Sequence, residues 1–328
     1  MNYPVSFFKR KGDQIQCLVC PHQCLISEGK TGICRVRTVL DHELIAINYA
    51  EVTSAAVDPI EKKPLYHFKP GKNIVSLGSF GCNMTCDFCQ NHKISQQRAK
   101  SEVLSIEQLK AIIDRVENNA GVAYTYNEPM MWYEYVYETA KTLKHLNQET
   151  SVVVVTNGYI NQEPLFKLLP YVDAMNIDLK AYSNSYYKKI CGAKLDSVLE
   201  TIKLANEHVH IEVTTLLVTD AFDALKEVEE ISKFLATVNK DIPLHLSRYF
   251  PRYKMKNEET NIEVMKQAAQ MARNYLNYVY IGNVAEIDTH TYCPTCHERL
   301  VERQSGRVNC LIREPICPRC QSDISIIL

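Results

Sequence analysis

Short apolar, β-branched runs alternate with amphipathic stretches through the middle of the chain. Asn73–Gly78 has the composition of a strand, and Ile106, Leu109, Ile112, Ile113 and Val116 make a helical stripe that predicts a helix over 106–118. Residues 121–126 predict a second strand, with a helix after it over about 130–146. The valine run at 151–156 suits a strand buried on both faces, and a helix over 162–169 follows. Strands are predicted over 174–179, 210–218, 244–247 and 278–281, separated by helices over 197–206, 224–238 and 262–275. Such alternation predicts an α/β protein whose parallel strands are joined by right-handed crossovers. Six or seven such units form either a partial barrel or an open doubly wound sheet.

Composition narrows the function classes. The 328 residues are 46% hydrophobic and carry a net charge of −1, enough apolar material for one large core and no global field toward nucleic acid or a membrane surface. No apolar run approaches the ~20 residues of a membrane-spanning helix. The N-terminus, with Lys9-Arg10-Lys11 and no long apolar segment, does not resemble a secretory signal. A cytoplasmic protein with no membrane association is expected. Residues 291–328 hold five arginines against four acidic residues, a weak footprint for nucleic acid.

The thirteen cysteines change the picture because they are grouped. Close-set pairs without a signal peptide favour metal binding in a reducing compartment over disulfides. Cys82, Cys86 and Cys89 lie in one loop as Cys-x3-Cys-x2-Cys, with Phe88 before the third, directly after the predicted 73–78 strand. Three thiolates on a loop can hold three corners of an iron–sulfur cube, which normally takes four. The missing fourth leaves one iron open, and an open metal position signals chemistry rather than structure. The mixed spacing argues against zinc. Cys293, Cys296, Cys317 and Cys320 have the paired spacing of a four-cysteine zinc ribbon, a staple suited to a tail too small to fold on apolar burial alone. Cys17, Cys20, Cys24 and Cys34 predict a further metal site, for zinc or a second iron–sulfur cluster. Cys310 falls outside the pairs, and the lone Cys191 has the character of a buried hydrophobe. Three regions follow: a cysteine-rich segment over 1–70, the alternating α/β region over 71–288 and the metal-stapled tail over 289–328.

The Cys82 loop resembles the signature of the radical S-adenosylmethionine (SAM) enzymes. That resemblance implies a partial (β/α)6 barrel, a four-iron four-sulfur cluster on Cys82, Cys86 and Cys89, and SAM chelated to the open iron. It also implies that the strand tips on the cysteine-loop side bind the rest of SAM. Phe88 accompanies the cluster. Asn127 and Glu128 match by position the turn that meets the amino group of SAM, with Tyr-Asn-Glu in place of the more frequent Gly-Gly-Glu, though Glu-Pro also often opens a helix. Asn157 lies at the next strand tip. Asp178 is a partner for the ribose hydroxyls and Lys180 for the carboxylate; the pair is also compatible with a surface ion pair. Glu212 and Thr214 share one face of the 210–218 strand. The basic, aromatic run His245–Met255, containing Arg248, Tyr249, Arg252, Tyr253 and Lys254, suits an anionic substrate or a solvated loop.

A closer resemblance spans nearly the whole chain. It rests on Cys17-Leu-Val-Cys20-Pro-His-Gln-Cys24, Gly32-Ile-Cys34-Arg-Val-Arg37, Pro59–Phe68, Ser79–Cys82, Phe88–Asn91 and Arg248–Met255. These runs are similar to the radical SAM member of the AmmeMemoRadiSam system, a family related in its barrel to pyruvate formate-lyase activating enzymes. The resemblance implies a Memo-like protein and an AMMECR-type protein as partners, and a flavodoxin or ferredoxin as electron donor. The substrate is left open among a protein backbone glycine, a small molecule and a nucleotide, and a non-catalytic iron–sulfur and zinc scaffold is the alternative from another class.

Overall fold

A computed structural model describes residues 2–304 and 306–328. Its centre is an eight-stranded sheet. In chain order its strands are β1 (Ser54–Pro59), β2 (Asn73–Gly78), β3 (Asn119–Tyr124), β4 (Ser151–Thr156), β5 (Ala174–Asp178), β6 (His210–Leu217), β7 (Leu244–Arg248) and β8 (Val279–Gly282). Spatial order follows chain order, from β1 at one edge to β8 at the other. The seven strands β2 to β8 pair in parallel, and β1 alone pairs antiparallel, on β2. Sequential parallel neighbours require a helix in each crossover. The principal ones are α1 (Ile106–Arg115), α2 (Tyr133–Leu146), α3 (Gln162–Leu168), α4 (Leu195–Asn206), α5 (Ala224–Val238) and α6 (Ile262–Ala272). This is the expected partial α/β barrel.

Local chemistry fixes the helix starts. Ser105 and Gln108 close a capping box at α1, and Asp223 and Asn261 cap α5 and α6 through their side-chain oxygens. The predicted 106–118 helix ends earlier, at Arg115, and Asn118 turns into β3 with φ +52°. The predicted 130–146 helix begins as a tight turn over Pro129–Trp132 before α2. The valines of β4 are buried on both faces at Val152, Val153 and Val154, as a central parallel strand requires.

The N-terminal segment folds as two small antiparallel sheets, Phe8–Lys11/Gln14–Cys17/Leu25–Ile26 and Tyr3–Pro4/Glu43–Ala46/Arg37–Leu40, and then contributes β1 to the central sheet. The tail adds a three-stranded sheet, Thr291–Tyr292/Arg299–Gln304/Arg307–Cys310, with its own apolar cluster of Leu300, Val301, Ile312 and Ile324. It docks at the end of the barrel opposite the cysteine loop. Lys69 N–H donates to the Ile327 carbonyl at 2.6 Å, and Arg303 donates to the Tyr66 carbonyl at 2.6 Å while lying over the Tyr66 ring. Beneath them the Glu212 carboxylate accepts from the backbone N–H groups of Tyr66 and His67, and pairs with His210 and His245. Burial opposes its charge, but these bonds hold it well below the usual carboxylate range. Glu212 therefore closes the barrel floor. Among the described residues, no helix is long and apolar enough to cross a membrane.

Candidate active site

The C-terminal ends of the parallel strands open into one cavity of ≈ 330 Å³. Cys82, Cys86 and Cys89 line one wall, on the loop leaving β2. Much of the remaining lining comes from successive strand tips: Asn127 and Glu128 after β3, Thr156 and Asn157 at β4, Asp178 and Lys180 at β5, Thr214 on β6 and Ser247 on β7. Every residue expected at the cluster or beside SAM thus faces a single space, where α/β barrels place their chemistry.

The cysteine loop is held from three sides. Gly81 has φ +92°, and a side chain there would collide with Cys34 and Val36, so only glycine lets the loop leave β2 at this angle. Thr85 N–H donates to the Cys191 carbonyl at 2.9 Å and Asp87 N–H to the Ile190 carbonyl at 3.2 Å, docking the loop on a widened helical turn over Tyr187–Cys191. On the third side, the Lys254 and Met255 N–H groups donate to the Asp87 carbonyl, and Lys254 Nζ lies 3.1 Å from Asp87 Oδ1. The basic run after β7 is therefore largely a clamp on the cysteine loop. Arg248 is bound to Glu259 and to the Thr260 carbonyl instead of facing the cavity, while Arg252 is exposed.

Electrostatics differ among the three thiols. Burial and the Glu128 carboxylate push Cys82 well up, and burial raises Cys89. Cys86 is lowered by the neighbouring Cys191 thiol and by Lys180, against its burial. The Cys191 thiol is raised by the Cys86 sulfur and by burial. A lone buried cysteine thus has a specific task beside the loop, one that no sequence spacing announces. Lys180 loses hydration by burial, but Asp178, 3.0 Å away, and the nearby thiols outweigh this and keep the ammonium charged.

Asn127 braces the loop on both sides, accepting from Ser79 N–H at 3.0 Å and donating to the Gly81 carbonyl at 2.9 Å. Glu128 is fully buried. It accepts from Met130 N–H, so it caps the Pro129–Trp132 turn, and also from the Thr156 hydroxyl and Asn157 N–H. Burial pushes its carboxyl up to about 7 against those bonds. Asn157 Nδ2 lies 2.9 Å from Asn83 Oδ1 and 3.6 Å from Cys82 Sγ. Asn83, Lys62 and Lys63 carry no recognisable spacing signal. Lys63 is buried 2.8 Å from Asp58 and lies over the Tyr126 ring, and both lysines line the cavity.

The remaining cysteines form two further groups. Cys293, Cys296, Cys317 and Cys320 have all four sulfurs within 4.8 Å of one another, with Cys293–Cys320 at 3.6 Å and Cys296–Cys317 at 3.5 Å. A single tetrahedral ion bound at ≈ 2.3 Å sets its sulfurs about 3.8 Å apart, so this group fits one metal ion. Cys310 lies beside it, and its thiol donates to the Ile312 carbonyl. Cys17, Cys20, Cys24 and Cys34 line a separate small cavity against Arg37 and Met131.

Comparison with known proteins agrees with this geometry. Residues 77–235 match the Radical SAM superfamily. The uncharacterized Methanocaldococcus jannaschii protein MJ0808 is 39% identical over the full length of both chains. The pyruvate formate-lyase-activating enzyme of Clostridium pasteurianum is 25% identical over 49% of this chain and 69% of its own. A radical SAM methyltransferase structure from Sphaerobacter thermophilus superimposes with a TM-score of 0.52, covering 65% of this chain and 66% of that one at 13% identity, which shows the shared fold. The chain belongs to the radical SAM superfamily, and within it is similar to the activating enzymes of glycyl-radical proteins.

Proposed function

We propose that this protein is a radical SAM enzyme of the activating-enzyme kind, acting on a protein substrate. The observation that carries it is the single cavity in which three loop thiols face a wall of polar strand tips. The donor set fits a site-differentiated cluster: three sulfurs lie on one loop, and that loop has no fourth cysteine. When bound, cluster and SAM supply a one-electron cleavage of SAM and hydrogen-atom abstraction from the substrate.

The chain's own residues do the rest. Cys82, Cys86 and Cys89 would hold three irons. Asn127, the turn over Tyr187–Cys191 and the Lys254 clamp fix the loop. The charged Lys180, oriented by Asp178, offers a donor for the SAM carboxylate, and Asp178 in turn suits the ribose hydroxyls. Glu128 and Asn157 shape the wall where the SAM amino group would sit. Phe88, buried beneath Lys180, helps exclude water.

A backbone glycine is the substrate suggested by the similarity to pyruvate formate-lyase-activating enzyme. On this proposal the protein is the cytoplasmic radical SAM member of an AmmeMemoRadiSam system, reduced by a flavodoxin or ferredoxin, with Memo-like and AMMECR-type proteins as partners and a zinc ribbon as its tail. The test is anaerobic. The reconstituted, dithionite-reduced protein is given SAM, and 5′-deoxyadenosine is quantified with and without the Memo-like and AMMECR-type proteins. Release that rises with a partner and vanishes in Cys86→Ala supports the proposal. No release under either condition from a cluster-loaded chain favours a scaffold, and partner-independent turnover of a small molecule overturns the protein substrate.

A further inference from the structure

The N-terminal cysteines lie outside the cavity just described, yet they touch its wall. Cys17 ends a strand, and its N–H donates to the Cys24 carbonyl at 2.9 Å, while Gln23 N–H donates to the Cys20 carbonyl at 3.0 Å. These bonds fold the Cys17–Cys24 segment back on itself, and Cys34 approaches from the following loop, so that four sulfurs line one small cavity. Three of the four, Cys17, Cys20 and Cys34, are buried.

Arg37 lines the same cavity. It is 1% exposed, and although Nη1 lies 2.6 Å from Glu134 Oε2, its Nε and Nη2 make no hydrogen bond among the described residues. A buried guanidinium with unused donors beside four cysteines calls for an anionic occupant. A thiolate-ligated metal centre is one, and hydrogen bonds to its sulfurs would use those donors.

The sulfur spacing separates the two candidate metals. The tail cysteines close around a point as one tetrahedral ion demands. Among the described residues, neither the N-terminal four nor the Cys82 loop brings three sulfurs mutually within 4.8 Å. A cluster binds each cysteine to iron at a different place on its surface, so its ligands stand farther apart than those of one ion.

The position matters as much as the metal. Gly81, next to Cys82, rests on Cys34, whose carbonyl oxygen would lie 2.8 Å from a Cβ placed there. Asn83, next to Cys82 on the other side, lies near Cys20, and its carbonyl meets Nε2 of His22, which stands between Cys20 and Cys24 in the chain, at 2.7 Å. Its side chain also accepts from Asn157, which reaches Cys82 Sγ. Two backbone neighbours of one cluster ligand therefore touch the segments that carry the second cysteine group.

We propose that Cys17, Cys20, Cys24 and Cys34 bind a second iron–sulfur cluster, beside Arg37, that relays electrons to the Cys82 site. One electron from a low-potential donor protein of the ferredoxin or flavodoxin class reduces this cluster. It is reoxidised by passing that electron to the Cys82 site, and no bond forms or breaks. The relay rests on the proposed radical SAM function; the cluster assignment does not.

The full chain carrying Cys82→Ala, Cys86→Ala and Cys89→Ala together is reconstituted anaerobically with iron and sulfide. Retained iron and acid-labile sulfide, with an EPR signal on reduction, is expected; their loss on adding Cys20→Ala and Cys24→Ala, while the tail keeps its metal, places the cluster. Zinc in place of iron in the triple variant overturns the assignment. Because that variant could misfold, iron is also counted in the unmutated chain, where a total no greater than one four-iron cluster overturns it as well. In the unmutated chain, EPR signals of the two reduced clusters that broaden each other support the relay, and two independent signals overturn it. None of these readouts requires SAM cleavage, so failure of the proposed activity is distinguishable from failure of this inference.

Discussion

Tyr253 stacks on His92 with ring centroids 4.4 Å apart and planes 13° from parallel. His92 follows the cysteine loop and Tyr253 follows β7, so this contact joins with the Asp87–Lys254 pair in holding the loop from outside. Aromatic pairs contribute about 0.5–1.5 kcal/mol beyond their buried area, enough to shift a local opening equilibrium by about two- to tenfold. Tyr253→Ala is expected to speed cluster loss in air by about that factor while leaving the global unfolding midpoint nearly unchanged. Bleaching of the cluster absorbance against time measures it. An unaltered bleaching rate would show that the backbone bonds to Asp87 suffice.

Cys86 and Cys191 are neighbours with opposite expected phenotypes. Cys86→Ala removes a cluster ligand and should abolish both iron retention at this site and 5′-deoxyadenosine release. Cys191→Ala removes only the thiol that neighbours the Cys86 sulfur, and polar hydrogens near sulfur tune cluster potential. It should keep the iron and lower the midpoint potential, as read by redox titration in the N-terminal Cys20→Ala and Cys24→Ala background. Loss of iron in Cys191→Ala would make it a fourth ligand and remove the open position.

Lys180 is held charged in a cavity wall by Asp178, its ion-pair partner at 3.0 Å. A hydrogen bond to a charged group contributes about 1.5–3 kcal/mol, or roughly ten- to a hundredfold in affinity. Lys180→Met should weaken SAM binding by that range, with iron content unchanged. Isothermal titration of the reconstituted protein with SAM decides it, and wild-type affinity would move the carboxylate contact to Lys62 or Lys63.

Much of this site was legible along the chain because its signals are local. The parallel strands announce themselves by valine and isoleucine runs, and the cysteine groups by spacing within one loop or one hairpin. Asn127, Glu128, Asn157, Asp178 and Lys180 end or follow strands, so predicting the strands placed them on one rim. Contacts between distant segments gave no such signal. The β1 strand is Ser-Ala-Ala-Val-Asp-Pro with Val57 half exposed, a poor strand pattern that only pairing with β2 makes regular. The roles of Cys191, Asn83 and Lys254 likewise come from residues 60 to 170 positions away, and the basic run up to Met255 reads equally as an anion-binding or a solvated loop because charge patterning does not record what the charges face.

A metal on Cys293, Cys296, Cys317 and Cys320 is expected to hold the tail together but not the barrel. Chelation, or Cys317→Ser, should unfold residues 289–328, since the apolar cluster of Leu300, Val301, Ile312 and Ile324 is too small to persist alone. The central sheet keeps its own core and should survive. Limited proteolysis should then cut first after about residue 288 and leave a resistant fragment carrying residues 73–282. Simultaneous loss of both would mean that the tail is part of the barrel's folding unit.

His67 links tail and barrel floor, and its titration predicts a pH dependence. Its Nδ1 lies 2.7 Å from the Ser325 carbonyl and its Nε2 2.7 Å from the Tyr280 hydroxyl, and burial pushes its pKa from 6.5 down to about 4. In the unfolded chain the imidazole takes a proton near pH 6.5; in the folded chain it does so only near 4. Between these values the unfolded state binds more protons, so stability falls as pH falls, and above 6.5 the contribution is complete. One pKa unit corresponds to about 1.4 kcal/mol, so lowering the pH from 7 to 5 should cost about 2 kcal/mol through this residue. His67→Gln should be less stable at pH 7, because a buried bonding partner is lost, yet should show a shallower decline toward pH 5. Urea unfolding of both chains at pH 7, 6 and 5 gives the two slopes. Parallel slopes would assign the acid sensitivity to other groups.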